Sequence, residues 1–450
     1  MSLANHVRIY SLIYVLPVLL AVATLWIVYD QLFDIQGLSP SFIRQTSQAS
    51  TIPIGFLPGI AGFWYWRLDN DVSSGVYVSY PSLAYLPLTL LGKLTSNIRS
   101  SFAILSFFSL SLLSLSAFVI GRKYVSQRRH FNGLTSVVAG LSLSFLIIAH
   151  PSLLNLLIDP NWEESFVFMS LAGFALSFVA PLMAAIAFFI AALSCPSAGI
   201  AACLFSILLI YPALEKFKRT GFVGASILSK VFAFLEFLSP LSRSLMGSML
   251  GVFLYVVMRI LFSVYGDIYP DTSGSSLLFR MGLDLPSTDY HGGILSVFRT
   301  FLPVSGIPKG ISSLGWDSIV SILLLVEFLV LSLISILWVY RIACAYINGK
   351  DRSAVAVACL YFFFVGAFMI VVFPNWSSVH FRLLARLIAP GMSIAIWLWL
   401  DRYCSRICAL FKTPWKSSLY VLSVTLMSWV VATDFIRFFY VWNLPFLAKT

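Results

Sequence analysis

Charged residues are scarce in this chain of 450 residues. Only 10% of the residues are Asp, Glu, Lys or Arg, against about a quarter in a typical soluble domain. So few charges cannot cover a water-facing surface, and 59% of the residues are hydrophobic. The composition therefore excludes soluble enzymes, secreted disulfide scaffolds and disordered regulators, and it indicates a multi-pass membrane protein.

Cysteines are also few, and acidic residues are outnumbered by basic ones. The six cysteines fall in apolar segments, their turns or basic loops, so we expect no structural disulfide. The net charge of +11 suggests basic loops on the cytoplasmic face rather than a nucleic-acid partner.

Long apolar runs account for most of the chain, and they are typical of helices rather than of the short alternating segments of a membrane barrel. We predict an all-α protein with about eleven transmembrane helices and a retained first helix instead of a signal peptide. The predicted spans are 10–29, 101–121, 133–149, 165–179, 180–194, 197–214, 245–264, 318–340, 354–373, 387–400 and 418–433.

The distribution of charge predicts the orientation. With the N-terminus inside, the inner segments sum to +13 and the outer loops to −2. This orientation requires that Tyr80–Leu94 lies in the outer interface as a short helix instead of crossing the membrane. The whole chain then forms one transmembrane domain with two long outer loops, residues 30–100 and 265–317.

The first outer loop carries an Asp-x-Asp pair, Asp69 and Asp71, beside Trp66. Two carboxylates at this spacing can hold a divalent cation such as Mg²⁺ or Mn²⁺, or one of them can accept a proton from a hydroxyl group. The neighbouring aromatic rings can stack on a sugar or anchor the loop. A solvated turn would explain the same pattern, so the pair alone does not define a site.

The order of motifs around this pair resembles the start of the GT-C membrane glycosyltransferases. After Asp71 come Tyr80-Pro81-Ser82-Leu83-Ala84-Tyr85, then Gly92-Lys93, and an apolar span that ends at Gly121-Arg122-Lys123. The next span ends at His150-Pro151 and is followed by an acidic loop with Asp159 and Glu163. Near the end, His380-Phe381-Arg382 and Arg386 before Pro390 resemble the family's late Arg-Tyr-x-x-Pro segment.

This resemblance implies a donor sugar carried on a polyprenyl phosphate and an acceptor that is a glycolipid, a glycan or a protein. It implies catalytic roles for Asp71, Asp69 and Asp159, with Asp34 and Asp30 as further candidates for the first-loop acid. Arg382, Arg386, His380, Tyr80, Trp66 and Glu163 are the predicted substrate contacts, and Asp69 and Asp71 are the predicted metal ligands.

Ordinary structural roles would also explain several of these residues. Arg382 and Arg386 can reach lipid headgroups, Asp159 before Pro160 can start a turn, and Glu163 can stabilise a helix N-terminus. Arg259 and Glu327 lie within predicted spans and are most simply an ion pair.

Two other functions remain open. An O-antigen-type polymerase or ligase would also have large outer loops and would depend on basic loop residues, whereas a transporter or flippase would carry several ionisable groups inside its spans. The compact chain favours a bacterial inner membrane with the active site on the outer face.

Overall fold

The computed structural model describes residues 13–36, 91, 94, 98–129, 133–158, 162–219, 238–265, 316–372, 378–410 and 416–443. Within these ranges the regular structure is helical and contains no strand. The helices are α1 Val15–Gln36, α2 Ile98–Arg129, α3 Gly133–Ile148, α4 Pro151–Ile158, α5 Trp162–Leu176, α6 Pro181–Ser194, α7 Pro196–Arg219, α8 Pro240–Tyr265, α9 Trp316–Ile347, α10 Ala354–Val372, α11 Ser378–Leu410 and α12 Lys416–Phe438, which a π-helical turn, Phe439–Asn443, extends.

Each of the predicted spans falls on one of these helices. The predicted boundary between the spans 165–179 and 180–194 is confirmed: Ala180 is the N-cap of α6 and Pro181 is its first residue. Several helices extend beyond the apolar run that predicted them. The first continues to Gln36, which places Asp30 and Asp34 on a helix instead of in the loop that we expected.

The described residues have the character of a membrane protein. Four helices are long and apolar enough to cross a bilayer, namely Ile104–Gln127, Pro240–Val257, Val320–Ile347 and Ser417–Val441. Six shorter apolar helices accompany them. The side chains that face outward from these helices include many large apolar ones, as expected for surfaces in contact with lipid.

Helix α11 occupies the centre of the bundle and packs against α3, α4, α5, α9, α10 and α12. All but one of its residues from 386 to 401 are buried. On the neighbouring α10, Tyr361 is also buried, and its hydroxyl lies 3.1 Å from the hydroxyl of Ser170 on α5. Phenylalanine rings from α5, α6 and α7 surround Tyr361, so one aromatic cluster joins these helices to the central pair.

Small residues allow two further helices to approach closely. Gly247 and Gly251 lie one turn apart on α8 and face α6. A Cβ atom on Gly247 would overlap the carbonyl oxygen of Ala185, and one on Gly251 would lie 2.8 Å from the carbonyl oxygen of Phe189. This Gly-x-x-x-Gly pattern lets backbones meet and is frequent where membrane helices pack.

Candidate functional site

The helix directions define which residues share one end of the bundle. Phe145 and His150, at the end of α3, pack against Trp429 and Phe435 of α12 respectively, so these two helices run the same way. Helix α11 runs opposite to them, because its residue Asp401 meets Tyr420 near the start of α12. The N-terminal part of α11 therefore lies at the same end as His150.

Arg386 is at this end, in the third turn of α11. Its side chain is only 2% exposed, which makes it one of the largest fully buried side chains. It does not extend to the surface as the explanation by lipid headgroups would require. Pro390 has no N–H to offer, so the carbonyl oxygen of Arg386 cannot make the usual helical hydrogen bond to residue 390.

The helices on either side of the acidic segment 159–161 pack against α11 as well. Ser393 donates a hydrogen bond of 3.3 Å to the carbonyl oxygen of Leu146, which fixes the level of α11 against α3. Arg386 lies seven residues before Ser393, which is roughly 10 Å along the helix axis. Helices α4 and α5, which also pack on α11, follow α3 directly in the chain.

Asp159 follows the last residue of α4 and lies outside the described residues. Glu163 is the second residue of α5, but its side chain is not described. The structure thus brings the helices on either side of Asp159 against the helix that carries Arg386, which the sequence alone did not predict.

The other predicted site residues are described in part or not at all. His380 and Arg382 lie in the first two turns of α11, with Arg382 one turn before Arg386, and their side chains are not described. Trp66, Asp69, Asp71 and Tyr80 lie outside the described residues, and so does the interfacial segment 80–94 apart from residues 91 and 94. Residues 266–315 of the second long loop lie outside them as well.

His150 is a buried residue at this end, where the sequence predicts only the end of a membrane span. It is completely buried, and its Nδ1 accepts a hydrogen bond of 3.3 Å from the backbone N–H of Ser152. It thereby caps α4, whose first residue is Pro151. The rings of Phe328 and Phe435 pack on the imidazole, and burial lowers the pKa of His150 to about 3.

A group of ionisable residues joins α9 to α12 beside His150. Glu327 lies next to Asp434 and Arg437, and the guanidinium of Arg437 is 3.5 Å from the carboxylate of Asp434. The neighbouring rings of Phe328 and Phe438 stack at 4.4 Å and hold the two helices together. We had expected Glu327 to pair with Arg259, whose side chain is not described.

Metal ligation finds no support in the part of the chain that the structure describes, where no three His, Cys, Asp or Glu side chains lie close enough to hold an ion. The Asp69–Asp71 pair lies outside that part, so a divalent cation there stays a prediction. Comparison with protein-family models, curated proteins and solved structures found no match.

Proposed function

We propose that this protein is a membrane glycosyltransferase of the GT-C type. It transfers a sugar from a polyprenyl-phosphate carrier to a glycolipid, glycan or protein acceptor on the outer face of a bacterial inner membrane. In this proposal eleven helices cross the membrane, the N-terminus is cytoplasmic, and the end of the bundle that holds Arg386 faces outward.

The observation that carries the proposal is the buried side chain of Arg386 on α11, the helix against which both helices that flank Asp159 pack. Charged groups inside a membrane protein are costly and are retained mostly where they serve a function. An arginine suits a phosphate because its planar fork donates two parallel hydrogen bonds. The proposed transfer needs a positive charge to stabilise the leaving phosphate and an acidic residue to accept a proton.

The chemistry assigns these parts to the two substrates. Asp71, or its neighbour Asp69, accepts the proton of the acceptor hydroxyl, whose oxygen forms a new bond to the anomeric carbon. The bond from that carbon to the phosphate oxygen breaks, and its electron pair leaves with the polyprenyl phosphate. Arg386 and Arg382 neutralise the charge that develops on this leaving group.

The remaining predicted residues bind rather than react. Trp66 stacks on a sugar ring, and Tyr80, His380 and Glu163 contact the sugar hydroxyls. Asp159 is the further catalytic acid that the resemblance implies. A divalent cation held by Asp69 and Asp71 would supply extra positive charge for the phosphate.

A transfer assay in isolated membranes tests the proposal. Membranes that contain the wild type, Asp69→Asn or Asp71→Asn are incubated with radiolabelled polyprenyl-phosphate sugars, with and without EDTA. We expect the wild type to release label from the carrier and one of the two variants to lose at least a hundredfold in rate, because a general base contributes about that much. Asp271→Asn, in the other long loop, is the matched control and keeps full activity.

Two outcomes separate the alternatives. Transfer that survives both substitutions contradicts the assignment of the base and points to Asp34 or Asp159. Loss of transfer in EDTA assigns the cation, whereas unchanged transfer excludes it.

A transporter is the second candidate, because Glu327, Asp434 and Arg437 cluster on predicted spanning helices. Ionisable groups that meet inside a membrane are typical of proton or ion pathways. Proteoliposomes that contain the protein and a pH-sensitive dye test this candidate. A proton flux that disappears in Glu327→Gln would support transport, and its absence at full glycosyltransferase activity would exclude it.

A further inference from the structure

Two arginine side chains contact the indole ring of Trp338 on α9, at the end of the bundle opposite His150. The guanidinium of Arg402, on α11, lies 5.1 Å from the centre of the Trp338 ring, and that of Arg341 lies 5.4 Å from it. Trp338 itself is buried, with 8% exposure, whereas Arg341 is exposed and Arg402 is partly exposed. Both distances are in the range of cation–π contacts, so the ring contacts two positive charges.

The turn between α9 and α10 holds a single carboxylate beside these cations. Gly349 lies just after the end of α9 and has a φ of +70°. The N–H of Lys350 donates a hydrogen bond of 2.8 Å back to the carbonyl oxygen of Ala345. Asp351 follows, and its carboxylate accepts from the N–H of Ser353 at 3.1 Å and lies 3.9 Å from the guanidinium of Arg402.

The charges in this group do not balance. Arg341, Asp351, Asp401 and Arg402 sum to zero, and the exposed Lys350 and Arg352 of the same turn give the group a net charge of +2. Like charges repel each other, so a group with a net positive charge attracts anions. We call Trp338, Arg341, Asp351 and Arg402 the Trp338 patch.

An apolar stripe on α9 leads to the Trp338 patch. Leu333, Leu337 and Tyr340 are 58%, 57% and 69% exposed. Leu337 lies one helical turn before Arg341, on the same side of the helix. A ligand that lay along this stripe would therefore place its apolar part on Leu333 and Leu337 and a charged end at Arg341.

We propose that the Trp338 patch binds the headgroup of an anionic phospholipid, whose acyl chains lie along the exposed stripe of α9. The phosphate accepts hydrogen bonds from Arg341 and Arg402, and Asp351 and Trp338 hold the two guanidiniums in position. The stripe distinguishes this ligand from free phosphate, which has nothing to place on Leu333 and Leu337. This end of the bundle is also the one that the charge distribution predicts to be cytoplasmic, where anionic headgroups attract basic residues.

Native mass spectrometry of the whole protein tests the proposal. The purified protein in detergent is titrated with phosphatidylglycerol or with phosphatidylcholine, and the first bound lipid is quantified for the wild type and for Arg341→Gln. We expect a tighter first binding of phosphatidylglycerol in the wild type, and about fivefold weaker binding in Arg341→Gln, since each basic residue near an anionic headgroup contributes about a fivefold effect. Arg341→Gln is chosen because its only described contact is the ring, so the ion pair of Arg402 stays intact.

Lys123→Gln is the matched control. Lys123 is exposed and adjoins Tyr124, whose ring packs on Trp397 one turn before Asp401, so it lies at the same end of the bundle. It should change the binding less than twofold. A conservative Arg341→Lys variant keeps the charge and should retain most of the binding.

Three results would overturn the proposal. Equal binding of the two lipids shows that the headgroup charge is not recognised, and equal losses in Arg341→Gln and Lys123→Gln show only diffuse attraction. Displacement of the lipid by millimolar inorganic phosphate shows that the site takes a free anion and that the stripe does not contribute.

Discussion

The contact between α6 and α8 allows a stability prediction whose sign can be worked from the structure. In Gly247→Ala the new Cβ atom meets the carbonyl oxygen of Ala185 more closely than real contacts allow, with the carbonyl carbon at 2.8 Å and the Cα atom at 3.0 Å. All three are backbone atoms, so no side-chain rotation relieves the overlap and the two helices must move apart.

Two energies compete in this variant. Alanine in a helix interior is favoured over glycine by about 1 kcal/mol. Overpacking of a close contact costs about 1–3 kcal/mol, and the upper part of this range applies because backbone must shift. We therefore expect Gly247→Ala to lower the free energy of unfolding by about 1–2 kcal/mol.

Gly133→Ala is the matched control, because a Cβ atom at Gly133 meets nothing within 4 Å. The same substitution there should leave the stability unchanged or raise it slightly. Gly251→Ala should be intermediate, since its nearest atoms lie at 2.8 Å and 2.9 Å. Reversible unfolding of the protein in mixed micelles measures all three variants, and equal stabilities of Gly247→Ala and Gly133→Ala would refute the packing argument.

Two further predictions concern buried polar contacts. The hydroxyl of Tyr420 donates a hydrogen bond of 2.5 Å to the carboxylate of Asp401, and both side chains are buried. Tyr420→Phe should therefore lower the free energy of unfolding by about 1–3 kcal/mol. In the same assay the control Tyr403→Phe, at an exposed position, should change it by less than about 0.5 kcal/mol. Because burial lowers the pKa of His150 to about 3, the unfolded chain binds a proton below about pH 6.5 that the folded chain does not, and stability falls as the pH decreases from there towards 3. Between about pH 7.5 and pH 5 this loss is about 2 kcal/mol, and it should be absent from the pH profile of His150→Asn, which retains an acceptor for the N–H of Ser152 but does not titrate.

The sequence predicted the positions of the helices well, because apolar runs of membrane length leave little choice of structure. It predicted their ends less well. Asp30 and Asp34 were placed in a loop because the apolar run stops before them, yet α1 continues to Gln36. Hydropathy marks the part of a helix that contacts lipid or core, whereas the helix itself continues for as long as its backbone hydrogen bonds are satisfied.

The sequence predicted individual candidate residues, but it did not predict which of them are buried or which side chains they contact. The sequence showed Arg386 only as a cation in a predicted outer loop. Its burial follows from the central position of α11, which contacts six other helices. Contacts with so many helices leave no periodic pattern in the sequence of α11 from which burial could be predicted. His150 was overlooked for the same reason. Its neighbours Phe328 and Phe435 are far away in the chain, and the one local signal is a histidine followed by a proline at a helix start.

Helix α11, which packs against six other helices, carries charged residues near both of its ends. Arg386 near one end, and Asp401 and Arg402 near the other, interrupt its apolar sequence, while the stretch between them contains Trp397 and is buried almost throughout. A helix that is surrounded by other helices does not need an apolar face toward lipid, so it can carry charges wherever protein groups solvate them. Asp401 accepts a hydrogen bond from Tyr420, and Arg402 lies beside Asp351. The bundle thus surrounds the charges of its central helix with protein groups, and we propose that the buried Arg386 also serves a substrate phosphate.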